Sequence, residues 1–283
     1  MNEIYIRRKL EEFLSEDLGS LEVNPGPNPE YVTVRIVVQD VGIFCGGRLI
    51  KPAFDLLAQY DVHLLDMVQL LDDGTLFSSG DVLAEFRVEK EILRNGIRIV
   101  LNLLGHLSGI ATNTRMKVNE VSGTNCKLLD TRKTLPGLRA FEKYAVKVGG
   151  AHNHRPGRYA GILIKKEDIK IYGGIKKAID KASEEKSHLV EIEVEVENSE
   201  QLEEVVRDGR IRYILLDNMS IDEMKKAVHR AGCLVTLEAS GIGGEDLKEV
   251  AETGVHYISL SSLILGARPI KMHMIIVEAG KRG

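Results

Sequence analysis

The chain has 283 residues, with 38 Lys plus Arg against 42 Asp plus Glu, a balance that argues against a general nucleic-acid surface, which needs net positive charge. Its three cysteines, Cys45, Cys126 and Cys233, are far apart and form no C-x-x-C spacing, so they argue against a zinc or disulfide framework and favour a reducing compartment. No apolar run reaches the roughly 18 residues of a membrane span, and the N-terminus lacks the apolar segment of a signal peptide, so a cytoplasmic protein is expected, with neither membrane nor nucleic acid as partner.

Ile4, Ile6, Leu10, Phe13 and Leu14 recur at helical spacing, and Glu16-Asp17-Leu18-Gly19 ends that helix. Asn24-Pro25-Gly26-Pro27-Asn28-Pro29 reads as a rigid loop. Tyr31–Gln39 is rich in β-branched residues and reads as a strand, Val41–Cys45 as another, and Leu49–Gln59 as a helix. Turns at Asp72-Asp73-Gly74 and Ser79-Gly80-Asp81 flank short strands, Val82–Val88 being the clearest. A long helix from about Lys90 to Met116 follows, with Ser108-Gly109 as a kink near the join between domains.

Beyond it the pattern becomes strand–helix alternation. Apolar segments at Cys126–Leu129, Gly161–Ile164, Val190–Val194, Tyr213–Leu216, Leu234–Leu237 and Tyr257–Leu260 are separated by helical patterns at Leu138–Val148, Ile175–Glu185, Ser199–Asp208, Ser220–Ala231 and Glu245–Thr253. Continuous apolar strands between helices mean a parallel sheet covered by helices, and six such units favour a barrel over an open sheet. Met272–Val277 reads as one more strand, returning to the N-terminal unit.

Each barrel strand leaves the core through polar residues, and in a parallel α/β barrel those ends form the rim where chemistry is placed. Asp130–Arg155 packs Arg132, Lys133, Arg139, Lys143, Lys147, His152, His154 and Arg155 into one helix and its flanking loops. Arg132, Lys133, His154, Arg155 and Lys165 form the cationic part of the rim, which asks for a ligand with at least two negative charges. Glu195 and Asp217, from later strands, suit Mg²⁺ or sugar hydroxyls, or alternatively pair with the cations. Ser240-Gly241-Ile242-Gly243-Gly244 runs into a helix at Glu245, a loop type that cradles phosphate through backbone N–H groups. The sum is a phosphorylated sugar with metal beside a carboxylated partner. Blander roles fall to His106 (packed in its helix), His152 (support for the loop), Lys176, Lys177 and Lys181 (a solvated face), and Glu193 and Glu197 (a different face from Glu195, or contact with neighbouring helices).

The runs Leu101–Arg115, DTRKTLPGLRAFEKYAVKVGG, NHR, LIK and EVEVENSEQLEE resemble quinolinate phosphoribosyltransferase, the carboxylating nicotinate-nucleotide pyrophosphorylase, over roughly residues 85–265. The resemblance implies an α/β fold: an N-terminal α/β sandwich domain at 1–107, an incomplete TIM-like α/β barrel with the active site at 108–267, and a C-terminal strand at 268–283 that rejoins the first domain. It implies quinolinate and phosphoribosyl pyrophosphate as substrates, Mg²⁺ as cofactor, and a homodimer whose subunits share each active site, with assembly beyond the dimer left open. By the same resemblance Arg98 reaches the neighbour's site and holds a quinolinate carboxylate, with Arg132, His154 and Arg155 as its other ligands. Lys133 and Lys165 meet the substrates and pyrophosphate, and Glu195 and Asp217 stand near the ribose hydroxyls and the metal. Ser240 and Gly241, with Ser261, belong to the phosphate side. The chain departs from the family at Ile97, Ala160 and Lys166-Glu167-Asp168, and its phosphate loop is one glycine short. Two other readings stay open: a paralogous phosphoribosyltransferase for another carboxylated aromatic, of the molybdenum-operon type, or a non-catalytic anion-binding barrel.

Overall fold

A computed structural model describes residues 1–24, 28–58, 65–243 and 246–277. The proline-rich expectation at Pro25–Pro27, the end of the expected helix at Gln59, and Gly244 and Glu245 of the glycine loop lie outside the described residues. The chain forms two compact units, Met1–Arg115 with Ala140–Gly149 and Ala267–Gly283, and Met116–Arg139 with Gly150–Gly266.

The first unit is built on a four-stranded antiparallel sheet. Strands β1 (Tyr31–Val38), β3 (Leu65–Leu70), β5 (Val82–Glu89) and β12 (Met272–Val277) lie in the order β12-β1-β5-β3. Val34, Ile36 and Val38 of β1 are fully buried while their neighbours are not, the period-2 signature of a sheet with one face on a core. Helices α1 (Glu3–Leu18) and α2 (Ile50–Leu57) bury Ile6, Leu10 and Leu14, and Ile50, Ala53 and Phe54. The Phe54 and Phe86 rings meet at 5.3 Å. Each fully buried aliphatic or aromatic side chain contributes about 1.5–3 kcal/mol. The expected strand at Val41–Cys45 is only the two-residue β2 (Gly42–Ile43), paired with β4 (Leu76–Phe77).

Helix α3 (Lys90–Glu120) runs unbroken through Ser108-Gly109, so the expected kink is absent. The glycines serve a close crossing instead. A Cβ on Gly109 would lie 2.3 Å from the Arg268 carbonyl oxygen, and one on Gly105 would lie 2.9 Å from that of Ile270. The Ile270 N–H donates to the Gly105 carbonyl at 2.9 Å, so the segment leading to β12 lies directly on the helix backbone. Helix α4 (Arg139–Gly149) sets Phe141 against Tyr5 and Phe13, with ring centroids 6.0 and 6.2 Å apart. His106 Nε2 lies 2.9 Å from Oε1 of the buried Glu142 on that helix.

The second unit holds six parallel strands: β6 (Lys127–Leu129), β7 (Ile162–Ile164), β8 (Ile192–Val196), β9 (Tyr213–Asp217), β10 (Thr236–Ser240) and β11 (Tyr257–Ser259), in the order β6-β11-β10-β9-β8-β7. A parallel bridge from Leu129 to His152 extends the β6 side, while among the described residues β7 pairs only with β8. The barrel is therefore incomplete, with an open seam beside β7. Helices α6 (Ile175–Glu185), α7 (Ser199–Asp208), α8 (Ile221–Ala231) and α9 (Leu247–Glu252) lie where the sequence pattern puts them, and two short helices are new, α5 (Lys166–Tyr172) and α10 (Ser262–Leu265). Among the described residues no helix is long and apolar enough to cross a membrane.

Candidate active site

The basic stretch is zipped to β6 by backbone and carboxylate. His152 donates its N–H to the Leu128 carbonyl and accepts from the Asp130 N–H, so it supports the loop as expected. Asp130, fully buried, accepts the His154 N–H at 2.9 Å and the Asn153 side-chain amide at 2.6 Å. Arg139 is a staple: Nε donates to Thr134 Oγ1, and its terminal nitrogens reach the carbonyls of Arg132 and Pro156. These contacts hold two cation-bearing loops side by side without using Arg132 or Arg155.

Those two guanidiniums, with Lys165, bound a cleft of about 350 Å³ beside the seam strand β7. Arg158, Lys181 and Tyr172 join its polar wall together with the carboxylates Glu167, Asp168 and Glu185, and Ile162, Ile164, Ala178 and Ala182 form its apolar one. Lys181, expected on a solvated face, therefore faces the cleft as well as pairing with Glu185 at 2.9 Å. Arg155 donates to the Gly161 carbonyl at 2.7 Å. Its burial lowers its pKa, and the charges of Arg132 and Arg158 push the same way, the mark of positive charge gathered for an anion. Lys133 is exposed on the loop after β6 and does not line this cleft.

The carboxylates stand at the neighbouring strands. Glu195 is 7% exposed on β8, and Asp217 ends β9. Lys165 Nζ lies 3.9 Å from Glu195, and Lys166 Nζ lies 4.0 Å from Asp217. Burial raises the Glu195 pKa, Lys165 opposes it, and the Asp217 charge adds to the rise. Two mutually repelling hard oxygen donors at a polar rim fit a divalent cation such as Mg²⁺. Lys165 also opens α5, where its N–H donates to Asp168 Oδ2 at 2.9 Å.

Glu193 corrects the expectation of a separate face. Glu193 and Glu195 are two apart on one strand and point to the same side. Glu193 lies 3.1 Å from His154 Nε2, and Glu238 of β10 lies 3.6 Å from the same atom. His154 Nδ1 accepts the Arg155 backbone N–H at 2.7 Å, which places the ring proton on Nε2. Burial opposes charge on this imidazole, but the two carboxylates outweigh it and raise its pKa. Glu238 is 4% exposed and its Oε1 has no hydrogen-bond partner. Burial and the Glu193 charge push its pKa up to about 7. Glu197 leaves the site and pairs with Lys166 at 3.2 Å.

On the phosphate side, Ser240 ends β10 in register with Asp217, and Gly241 has φ +77°. A Cβ there would lie 2.4 Å from Asn218 Oδ1, so both the backbone conformation and the space require glycine. Ser261 is the N-cap residue of α10 and follows β11. The structure thus brings Arg132, Arg155 and Lys165 to one cleft, and Glu195, Asp217, Ser240 and Gly241 to the ends of three adjacent strands. Arg98 is exposed on α3 in the first unit.

The profile of the quinolinate phosphoribosyl transferase C-terminal domain matches residues 110–275. The chain is 38% identical to a probable carboxylating nicotinate-nucleotide pyrophosphorylase of Bacillus subtilis, over 97% of this chain and 94% of that one. The chain belongs to the quinolinate phosphoribosyl transferase family. It is 35% identical to the carboxylating nicotinate-nucleotide pyrophosphorylase of Mycobacterium leprae, over 93% of both chains. Its fold superposes on the nicotinate-nucleotide pyrophosphorylase of Francisella tularensis with a TM-score of 0.88 at 30% identity, covering 98% of each chain. Beyond the residues expected from sequence, the structure places Arg158 at the cleft and Glu193 and Glu238 against His154. Arg158 follows the basic stretch by three residues, and strand parity alone would have found Glu193.

Proposed function

We propose that the protein joins quinolinate to phosphoribosyl pyrophosphate, releasing pyrophosphate and CO₂ and giving nicotinate mononucleotide for NAD biosynthesis. The observation that carries this is the cleft where Arg132, Arg155, Arg158, Lys165 and Lys181 outnumber the carboxylates Glu167, Asp168 and Glu185 beside apolar side chains, with Lys165 3.9 Å from Glu195. Guanidinium forks hold ring carboxylates bidentately, and apolar walls accept the ring. Holding the pyridine nitrogen against the ribose carbon makes the encounter effectively unimolecular. As pyrophosphate leaves, Lys133 and Lys165 take up its negative charge, and Glu195 and Asp217 face the positive charge developing on the ribose. The quaternised ring nitrogen then acts as the electron sink for loss of the adjacent carboxylate as CO₂.

Glu195 and Asp217 would hold Mg²⁺, which when bound offsets the charge of the pyrophosphate group. In the same reading the protein works in the cytoplasm as a homodimer, and Arg98 of one subunit completes the other's site. The decisive experiment follows nicotinate mononucleotide from quinolinate, phosphoribosyl pyrophosphate and Mg²⁺. Sustained turnover supports the reading. Tight quinolinate binding without product overturns it in favour of another aromatic acid or a sensor.

A further inference from the structure

We propose that Glu193 and Glu238 are positioning residues of this site: they clamp the His154 imidazole from the barrel interior and, through it, set the place of Arg155. This rests on the reading of the cleft as an aromatic-acid site. Glu193 belongs to β8 and Glu238 to β10, strands separated by β9, and their carboxylates converge across that strand within 4.8 Å of each other. One imidazole nitrogen meets both, at 3.1 and 3.6 Å, so a single ring ties two strands to the loop that follows β6. The other ring nitrogen accepts the Arg155 N–H, and Arg155 in turn donates to the Gly161 carbonyl at the mouth of the cleft. From the far side Asp130 holds the His154 N–H. The backbone is thereby fixed at two points, the His154 and Arg155 N–H groups, and the Arg155 guanidinium at a third, each by a named acceptor.

Packing does not explain Glu238. A carboxyl at 4% exposure with one oxygen unpartnered costs stability relative to an apolar side chain. A metal centre does not explain the cluster either, although His154, Glu193 and Glu238 offer ligand atoms within 4.8 Å of one another. A metal on Nε2 needs the ring proton on Nδ1, and the Arg155 N–H already points there. What remains is orientation. With Nδ1 accepting the Arg155 N–H and Nε2 facing Glu193 and Glu238, the His154 ring is held in one orientation beside Arg155.

The test uses Glu193→Ala, Glu238→Ala, Glu193→Gln and Glu238→Gln in the full chain, with calorimetric titration of quinolinate and, separately, of inorganic pyrophosphate. The alanine variants are expected to bind quinolinate about 10-fold more weakly or worse and pyrophosphate within about 2-fold of the parent protein. The glutamine variants recover most of the loss, because an amide oxygen still accepts the Nε2 proton. Alanine variants with unchanged quinolinate affinity overturn the proposal. So does equal weakening of both ligands, and so does glutamine as damaging as alanine, which would mean charge rather than placement. If the alanine variants do not fold, ¹⁵N-histidine spectra of the glutamine variants decide: retained Nε2–H supports the clamp, and a switch to Nδ1–H with unchanged affinity sinks it. A parent protein that binds no quinolinate counts against the proposed substrate, and the clamp is then read from the histidine spectra alone, where a parent Nδ1–H signal overturns it.

Discussion

Lys165 and Glu195 face each other at 3.9 Å because β7 and β8 run parallel with Ile164 opposite Val194, so the next residue of each chain falls on the same rim. The pair joins the cation that bounds the cleft to the carboxylate proposed to face the sugar. Lys165→Ala is expected to lower kcat/KM by about 100-fold or more, with most of the loss in kcat, in steady-state assays of nicotinate mononucleotide formation. A change confined to KM would place Lys165 in ground-state binding only.

Glu195 and Asp217 repel one another across the ends of adjacent strands. Chelating Mg²⁺ is expected to stop turnover. Glu195→Gln and Asp217→Asn should each raise the Mg²⁺ concentration needed for half-maximal rate by about 10-fold, read from metal titrations. Direct Mn²⁺ binding followed by paramagnetic resonance gives the same comparison without activity.

Arg98 and Lys133 test the shared site. If the proposed dimer holds, Arg98→Ala and Lys133→Ala proteins should each be nearly inactive alone, while an equimolar mixture after subunit exchange recovers about a quarter of the parent rate, since one site in each mixed dimer keeps both residues and about half of the protein is mixed. No recovery in mixed dimers confirmed by mass would confine each site to one chain.

Glu238 gives the protein a pH signature. A carboxyl whose folded pKa exceeds its unfolded value stabilises below the unfolded value and loses that contribution as pH rises through the folded one. Glu238 moves from 4.5 to about 7, so its contribution drains away up to and through neutrality. His154, raised from 6.5 by the same carboxylates, changes in the same direction. Urea midpoints should fall between about pH 5 and 7.5, and Glu238→Gln should flatten that slope. An unchanged slope would mean that Glu238 is not the titrating group.

Gly109 allows the segment before β12 to lie on α3, where a Cβ would meet the Arg268 carbonyl at 2.3 Å. Gly109→Val should destabilise the protein by about 1–3 kcal/mol by overpacking, seen as a lower urea midpoint.

The barrel strands and their covering helices were legible because buried parallel strands are continuous apolar runs and helices α6 and α7 each carry a regular apolar stripe. Helix α5 buries no residue, so it leaves no periodic signal, and α10 spans a single turn. Strands β2 and β4 are too short for alternation to register. Ser108-Gly109 read locally as a kink because the backbone that Gly109 accommodates lies far along the chain, and no local pattern announces a distant crossing. The cations were found by residue type and spacing, whereas the Glu193–His154–Glu238 contact depends on which face of two non-adjacent strands meets one loop. That is a property of the assembled sheet rather than of any one segment.

The antiparallel pairing of β12 with β1 has a consequence for how the chain is made. Residue Lys271 donates to Asp40 across 231 positions, and the register runs from Thr33 opposite Val277 to Val38 opposite Met272. During synthesis, β1 is exposed first and can pair only with strands close behind it. Its outer edge stays open while the whole barrel emerges from the ribosome, a bare strand edge being a ready template for wrong partners. Among the described strands the last one made is thus the one that seals the first sheet, so a chain stalled or clipped before it leaves a sticky edge on an otherwise folded molecule.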